Sequence, residues 1–254
     1  MFIHAESIII VMLKKIKKGL YSKFPKPYFF CRDVYHFSKL ALSGEFKKIY
    51  SSSLDVQTFE QAFSFTNRFI KSHQIHSEIK GLIELIDEHK PNSYIEIGMA
   101  DGGTHFLIRK LCKSIKLSIA VDTDIRNKYL LNRITPIEKS HYVCGFSNNL
   151  KTINRVKRLV GEEQKVDVLF IDGDHSYDGV KQDFDNYNGL VRKGGLIVFH
   201  DIVEDWGTRY GKKTNKYTGG VPTFFAEVKN DYQSHLFIDN AEQDGFGIGV
   251  IVQN

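Results

Sequence analysis

A doubly wound α/β fold on a mostly parallel, seven-stranded sheet is the class this sequence predicts, and three features of its 254 residues predict it. After Pro91, apolar runs of strand length alternate with amphipathic stretches of helical length, the pattern of right-handed βαβ units. Two of the runs, Val166–Ile171 and Leu196–Phe199, are apolar almost throughout, as strands covered by helices on both faces must be. The last two runs are joined by Asn240–Phe246, too short for a helical crossover, so they predict an antiparallel hairpin.

Residues 1–72 read as a helical, aromatic-rich extension suited to substrate or subunit contacts, a homo-oligomer included. Within it Met12–Phe30 mixes lysines with Leu13, Ile16, Leu20 and Phe24. That mixture suits an interfacial helix touching a membrane surface, with a flexible arm as the alternative. The apolar run Ile8–Leu13 is too short to span a bilayer, and its lysines follow it, whereas a signal peptide places them first. Ser51-Ser52-Ser53 before Leu54-Asp55 marks a loop and a helix start. The α/β domain is expected over 73–254. Ile75, Ile79, Leu82, Ile83, Leu85 and Ile86 give an amphipathic helix that stops near His89-Lys90-Pro91. Strands follow at Ser93–Gly98, Leu117–Asp122, His141–Gly145, Val166–Asp172, Leu196–Asp201, His235–Asp239 and Gly247–Val252. Helices fit at 102–113, 125–132, 148–160, 176–191 and 222–230.

At 42% hydrophobic residues the chain can bury a sizeable core, and its formal charge of +5 is mild. Aromatic residues do not alternate with Lys and Arg in a stripe, so nucleic acid is not the expected partner. The three cysteines, Cys31, Cys112 and Cys144, lack the spacing of a zinc site or redox pair, and a reducing, cytoplasmic setting is the expectation.

Chemistry concentrates where strands end. The first strand runs into Glu96-Ile97-Gly98-Met99-Ala100-Asp101-Gly102-Gly103, and glycines at a strand-to-helix turn let backbone approach a ligand. The second strand ends in Asp122, where an acid can accept hydrogen bonds from ribose hydroxyls. A dinucleotide wants glycine where its pyrophosphate approaches, yet Ala100 stands there, and Glu96 and Asp101 add negative charge. These acids favour a cationic ligand such as S-adenosylmethionine. The fourth strand delivers Asp172-Gly173-Asp174-His175 and the fifth His200-Asp201, so acids and imidazoles converge on one rim.

Tyr94-Ile-Glu96-Ile-Gly98 with Gly102-Gly103, Phe170-Ile-Asp172-Gly-Asp174-His175-Ser-Tyr177, and Gly194-Gly195-Leu-Ile-Val-Phe-His200-Asp201 resemble the class I S-adenosylmethionine-dependent methyltransferases. Within these they resemble the macrocin O-methyltransferase and cephalosporin-hydroxylase-like group, over about Ile75–Val252. The resemblance implies a Rossmann-like methyltransferase domain whose Glu96, Gly98, Ala100 and Gly102 line the methionine end of the cofactor, beside Gly103 and Asp172. It further implies that Asp122 holds the ribose and that Gly145-Phe146-Ser147 borders adenine. In metal-dependent members the matching positions Asp172, His200 and Asp201 bind a divalent cation, Mg2+ or Mn2+. His200 replaces an acid of that pattern, which makes magnesium less favoured.

The expected reaction is O-methylation of a sugar or sugar-bearing small molecule, or a glycan, with His175 as general base and Asp172 as its catalytic companion. Asp174 would cap the helix opening at Ser176, while Asp178, Asp183 and Asp185 would form a solvated helix face. Trp206, Arg209 and Tyr210 lie in a loop that would serve as a lid. The alternatives are a metal-dependent hydrolase or oxygenase using the same acids and histidines, and a non-catalytic cofactor-binding module.

Overall fold

The computed structural model describes residues 34–35, 37–161 and 164–254. The proposed interfacial segment Met12–Phe30 lies outside them. The chain divides into two compact units at Phe46/Lys47. Helix α1 (Glu45–Leu54) contains Ser51–Ser53, where a loop was expected. Serine is only a modest helix former, but Ser53 is fully buried and its hydroxyl donates back to the Tyr50 carbonyl. The helix start lies further on, at α2 (Phe59–Phe69), where Thr58 and Gln61 form a reciprocal capping box. Phe65 of α2 stacks on Phe106, which fixes this helix to the α/β unit.

Helix α3 (His76–Glu88) buries Ile79, Leu82, Ile83 and Ile86 of the predicted pattern, whereas Ile75 precedes it as the N-cap and Leu85 is half-buried. The strands are β1 (Ser93–Ile97), β2 (Leu117–Asp122), β3 (Lys139–Cys144), β4 (Val166–Ile171), β5 (Val191–His200), β6 (Ser234–Phe237) and β7 (Ile248–Val252). Between them run α4 (Gly103–Leu111), α5 (Lys128–Ile134), α6 (Leu150–Val160), α7 (Tyr177–Tyr187), α8 (Trp206–Tyr210) and α9 (Val221–Val228). The sheet order is β3-β2-β1-β4-β5-β7-β6, parallel through β5, with β7 antiparallel to both β5 and β6. The doubly wound class and the closing hairpin are therefore as the sequence predicts. β5 starts five residues ahead of the predicted Leu196, its register against β4 shifting between Val166 and Val168.

One core layer packs Ile95, Ile97, Leu169, Ile171, Ile197 and Phe199 of the sheet against α6, α7 and α9. On the other face α4 buries Phe106, Leu107 and Ile108. Register then sets the rim. Ile97 pairs with both Val121 and Ile171, and Ile171 pairs with Phe199, so Gly98, Asp122, Asp172 and His200 follow on neighbouring strand ends. Strand order reverses at β1/β4, the place where ligands bind in open α/β sheets. Among the described residues no helix is long and apolar enough to cross a membrane.

Candidate functional site

A cavity of about 380 Å³ opens at this switch point, lined by Gly98, Ala100, Asp122, Ser147, Asp172 and Gly173 among others. Its size suits a small-molecule site. A larger cavity of about 620 Å³ lies around Asn92, Lys116 and Lys165 at the amino ends of the strands, away from this chemistry. The glycine turn is built by close backbone approach. Gly98 has φ +88°, and a Cβ there would stand 1.8 Å from the Asp172 carbonyl oxygen. Ala100 holds φ +46°, and its N–H donates to Asp122 Oδ2 at 2.8 Å, while Asp122 Oδ1 accepts from the Asp124 N–H at 2.7 Å. Asp122 thus ties the loop to β2, and with the Thr123 hydroxyl also donating to Oδ1 at 3.4 Å, it is Oδ2 that keeps a second lone pair for a hydroxyl donor.

Glu96, Gly102 and Gly103 sit elsewhere. Gly102 packs on Leu131 with φ +86°, and a Cβ on Gly103 would strike the Lys71 carbonyl, so both glycines serve helix packing. Glu96 is buried on the α4 face, with His105 Nδ1 2.6 Å from its Oε2. Burial pushes the Glu96 carboxyl well up and the His105 imidazole well down, which makes them a neutral hydrogen-bonded pair. Asp101 meets the Arg126 guanidinium at 3.3 Å. The two acids whose charge pointed to a cationic ligand are therefore neutralised or paired. Asp122, Asp172 and Asp174 are the acids on the cavity wall.

Asp172, His175 and Asp201 each offer a ligand atom within 4.8 Å of the others, two oxygens and one nitrogen, a donor set that fits a divalent cation. His175 Nε2 lies 3.4 Å from Asp172 Oδ1 and Nδ1 3.3 Å from Asp201 Oδ2. His175 Nδ1 also lies 2.9 Å from the Tyr217 carbonyl oxygen. A carbonyl only accepts, so Nδ1 carries the hydrogen and Nε2 is the nitrogen whose proton can come and go. His200, expected as a ligand, is buried beside this group with Nδ1 3.3 Å from Asp172 Oδ1 and 3.4 Å from Asp201 Oδ2. Bonding to Asp172 holds His175 up at about 9. Burial alone would lower His200, but Asp172 and then Asp201 overcome it and hold this imidazole well above its ordinary value. Asp201 sits at φ +62°, a conformation aspartate tolerates better than most residues, and its Oδ1 accepts from the Phe246 N–H at 3.1 Å.

Contacts from distant parts of the chain complete the surround. Buried Glu78 of α3 accepts from the N–H groups of Asp239 and Gly247 and from the Gln243 amide, which anchors the β6–β7 loop that holds Asp201. Trp206, Arg209 and Tyr210 bond that same loop, through the Glu242 carbonyl, the Ala241 carbonyl and the Glu242 carboxylate respectively. The aromatic group beside the imidazole is Tyr217, 69% exposed, its ring 7° from parallel with His175 at 6.5 Å. Strand-end reasoning missed it, because it lies 42 residues from His175 in a loop without a pattern.

Two helix assignments change. Ser176 itself caps α7 by accepting from the Gly179 N–H, and Asp174 braces the turn one step earlier by accepting from the Ser176 N–H. Asp178 and Asp185 are exposed as expected, but Asp183 is 1% exposed on the inner face with Gly179, Val180, Phe184 and Tyr187. Burial pushes its carboxyl up to about 6 from the usual 3.8. The unfolded chain loses this proton near 3.8 and the folded chain near 6. Stability tied to the proton is thus full below 3.8 and gone above 6, a loss of about 3 kcal/mol. Asp183→Asn is expected to be more stable than wild type at pH 7–8 by roughly this amount, with the gap closing toward pH 4. Denaturant unfolding across this range checks it, and a gap independent of pH would refute it.

A family model described as Rhamnosyl O-methyltransferase/CmcI matches residues 57–252. The uncharacterized protein R132 of Acanthamoeba polyphaga mimivirus is 28% identical over 166 residues, which cover 61% of this chain and 72% of that protein. The fold also matches the O-methyltransferase from Bacillus cereus in complex with SAH, with TM-score 0.55 and 15% identity over 80% of this chain and 95% of that one. It matches as well the O-methyltransferase TomG from Streptomyces achromogenes, involved in tomaymycin synthesis and in complex with SAM. There the TM-score is 0.55 and the identity 15%, over 81% and 95% of the two chains. At such identities these structures share the fold, whereas the family match takes in the whole sheet and its rim. On that match, this chain belongs to the Rhamnosyl O-methyltransferase/CmcI family of methyltransferases.

Proposed function

We propose that the protein transfers the methyl group of S-adenosylmethionine to a hydroxyl of a sugar or sugar-bearing acceptor, assisted by a divalent cation. The observation that carries this reading is the meeting of Asp172, His175 and Asp201 at the edge of the cavity lined by Gly98, Ala100, Asp122 and Ser147. The family's description names a rhamnosyl O-methyltransferase, which favours a sugar hydroxyl. The hydrolase or oxygenase reading of the same acids and imidazoles has no such support.

When bound, S-adenosylmethionine supplies a sulfonium methyl group that an oxygen nucleophile can displace, leaving a neutral thioether. When bound, a divalent cation polarises the acceptor hydroxyl and offsets the carboxylates that hold a proton on His175. Asp172 and Asp201 would hold the cation, with His200 beside them. His175 takes the hydroxyl proton at Nε2, its ring fixed by the Nδ1–H bond to the Tyr217 carbonyl. Asp122 orients the cofactor's ribose from a position that the Ala100 and Asp124 amides already fix. Tyr217 offers an exposed ring face on which an acceptor ring can rest.

Calorimetric titration with S-adenosylhomocysteine, then with Mn2+, tests the reading. Wild type is expected to bind both, and Asp172→Asn is expected to lose the cation by more than about tenfold. A protein that takes up no S-adenosylhomocysteine at saturating concentration is not this enzyme.

A further inference from the structure

The start of α3 touches both sides of the site, and the mechanism above gives it no part. A Cβ on Gly103 would stand 2.1 Å from the Lys71 carbonyl oxygen, so the chain entering this helix packs on the glycine turn. His73 Nε2 lies 3.9 Å from Asp101 Oδ2 of the same turn. A few residues on, the Ser77 hydroxyl donates to the Asp239 carboxylate, and Glu78 meets the loop between β6 and β7. Glu78 is fully buried, and both its oxygens are engaged. Oε1 accepts from Gln243 Nε2 at 2.7 Å and from the Asp239 N–H at 3.3 Å, and Oε2 from the Gly247 N–H at 3.0 Å. Burying a carboxylate is costly, and donors on both oxygens are what offset it. From Gly247 the path to Asp201 is short. The Gly247 carbonyl accepts from the Ile202 N–H at 3.3 Å and the Phe246 carbonyl from the Val203 N–H at 2.9 Å, while the Phe246 N–H donates to Asp201 Oδ1 at 3.1 Å. A Cβ on Gly247 would lie 2.6 Å from Val203 Cγ2, so only bare backbone fits against this stretch. Residues 246 and 247 are thereby clamped between Glu78 and the chain at 201–203.

We propose that Glu78 is a positioning residue for the cation, holding Asp201 in its ligating orientation through the backbone of Gly247 and Phe246. This rests on the cation-assisted reading above. With Oδ1 tied to the Phe246 N–H, Asp201 turns Oδ2 toward His175 and His200, at 3.3 and 3.4 Å. Asp172 Oδ1 approaches the same two imidazoles, at 3.4 and 3.3 Å, so the two carboxylates face one another there. Glu78 need not touch the metal for this, because what it supplies is the fixed backbone that keeps Oδ1 occupied and Oδ2 free. A glutamine in its place has one acceptor oxygen, so it must aim an NH2 group at either the Gly247 N–H or the Gln243 amide. One of the two bonds then becomes a clash of donors, the loop shifts away, and Asp201 shifts with it.

The test is calorimetry on the full chain, with Mn2+ and with S-adenosylhomocysteine, at a temperature well below unfolding. Wild type is expected to bind both. Glu78→Gln should bind Mn2+ about tenfold more weakly, the lower end of what losing a ligand's hydrogen-bond support costs, with S-adenosylhomocysteine affinity within about twofold of wild type. Glu78→Asp keeps a buried carboxylate one methylene short of the loop, so it should weaken Mn2+ in the same direction, and it serves if glutamine prevents folding. Ser77→Ala removes a bond from the same helix to the same loop but leaves the Gly247 contact, so its Mn2+ affinity should match wild type. Wild-type Mn2+ affinity in either folded Glu78 variant overturns the proposal, as does an equal fall in S-adenosylhomocysteine affinity, which a merely structural role would produce. A fall of the same size in Ser77→Ala overturns it too, since any anchor of the loop would then do. Wild type that binds S-adenosylhomocysteine but no Mn2+ would instead remove the cation reading, and this inference with it.

Discussion

Replacing Gly98 by alanine is expected to abolish cofactor binding and lower the melting temperature sharply. The residue sits at φ +88°, where an L side chain costs about 1–2 kcal/mol before any contact is considered. The added methyl would also lie 1.8 Å from the Asp172 carbonyl oxygen and 2.4 Å from its carbon. Neither side can yield separately. The Gly98 N–H donates to the Val121 carbonyl at 2.8 Å and the Asp172 N–H to the Ile97 carbonyl at 2.8 Å, so relief requires β1 to slide against both neighbours. A loss above about 4 kcal/mol follows, of the size seen only for such defined steric mechanisms. Since Asp172 is the residue pushed, the cation site fails together with the glycine loop. Circular dichroism melts and S-adenosylhomocysteine titration check this, and a variant with wild-type melting and affinity would mean that the strand ends do not meet as described.

The same junction explains how far the sequence could be read. Strands β1, β2, β4 and β5 were legible because both faces are covered, which forces nearly continuous apolar runs, and acids just beyond such runs stand out. Asp172, His175 and Asp201 were found for that reason, and the structure brings them together. Glu96 was misplaced because strand alternation decides its side chain, and the face it points to carries His105. Asp183 was readable in principle. At about 100° per residue it lies roughly 140° around the helix from Asp178, whereas Asp185 returns nearly to Asp178's direction, so the three acids never shared a face. Glu78 and Tyr217 could not be found this way. Glu78 acts through a loop more than 160 residues later, and Tyr217 through a carbonyl that has no side-chain signature.

His175→Ala is expected to lower kcat by about 10²–10⁴-fold while leaving S-adenosylhomocysteine and Mn2+ affinity within a few-fold of wild type. The geometry makes this a choice between two roles, because His175 can also be counted among the atoms within reach of a cation. Its Nδ1–H is committed to the Tyr217 carbonyl, and Nε2, 3.4 Å from Asp172 Oδ1, is the nitrogen left for chemistry. If Nε2 binds the cation it cannot also take a proton, and removing the ring would then cost Mn2+ affinity first and turnover only as a consequence. If Nε2 is the base, cation affinity survives the substitution and turnover falls even at saturating Mn2+. His200 bears on the same choice. Buried between the two carboxylates, it supplies an imidazole beside the cation site that needs no help from His175. A His175→Ala protein that regains wild-type kcat at high Mn2+ would show that the imidazole holds the metal, and would leave the hydroxyl's proton to pass to water.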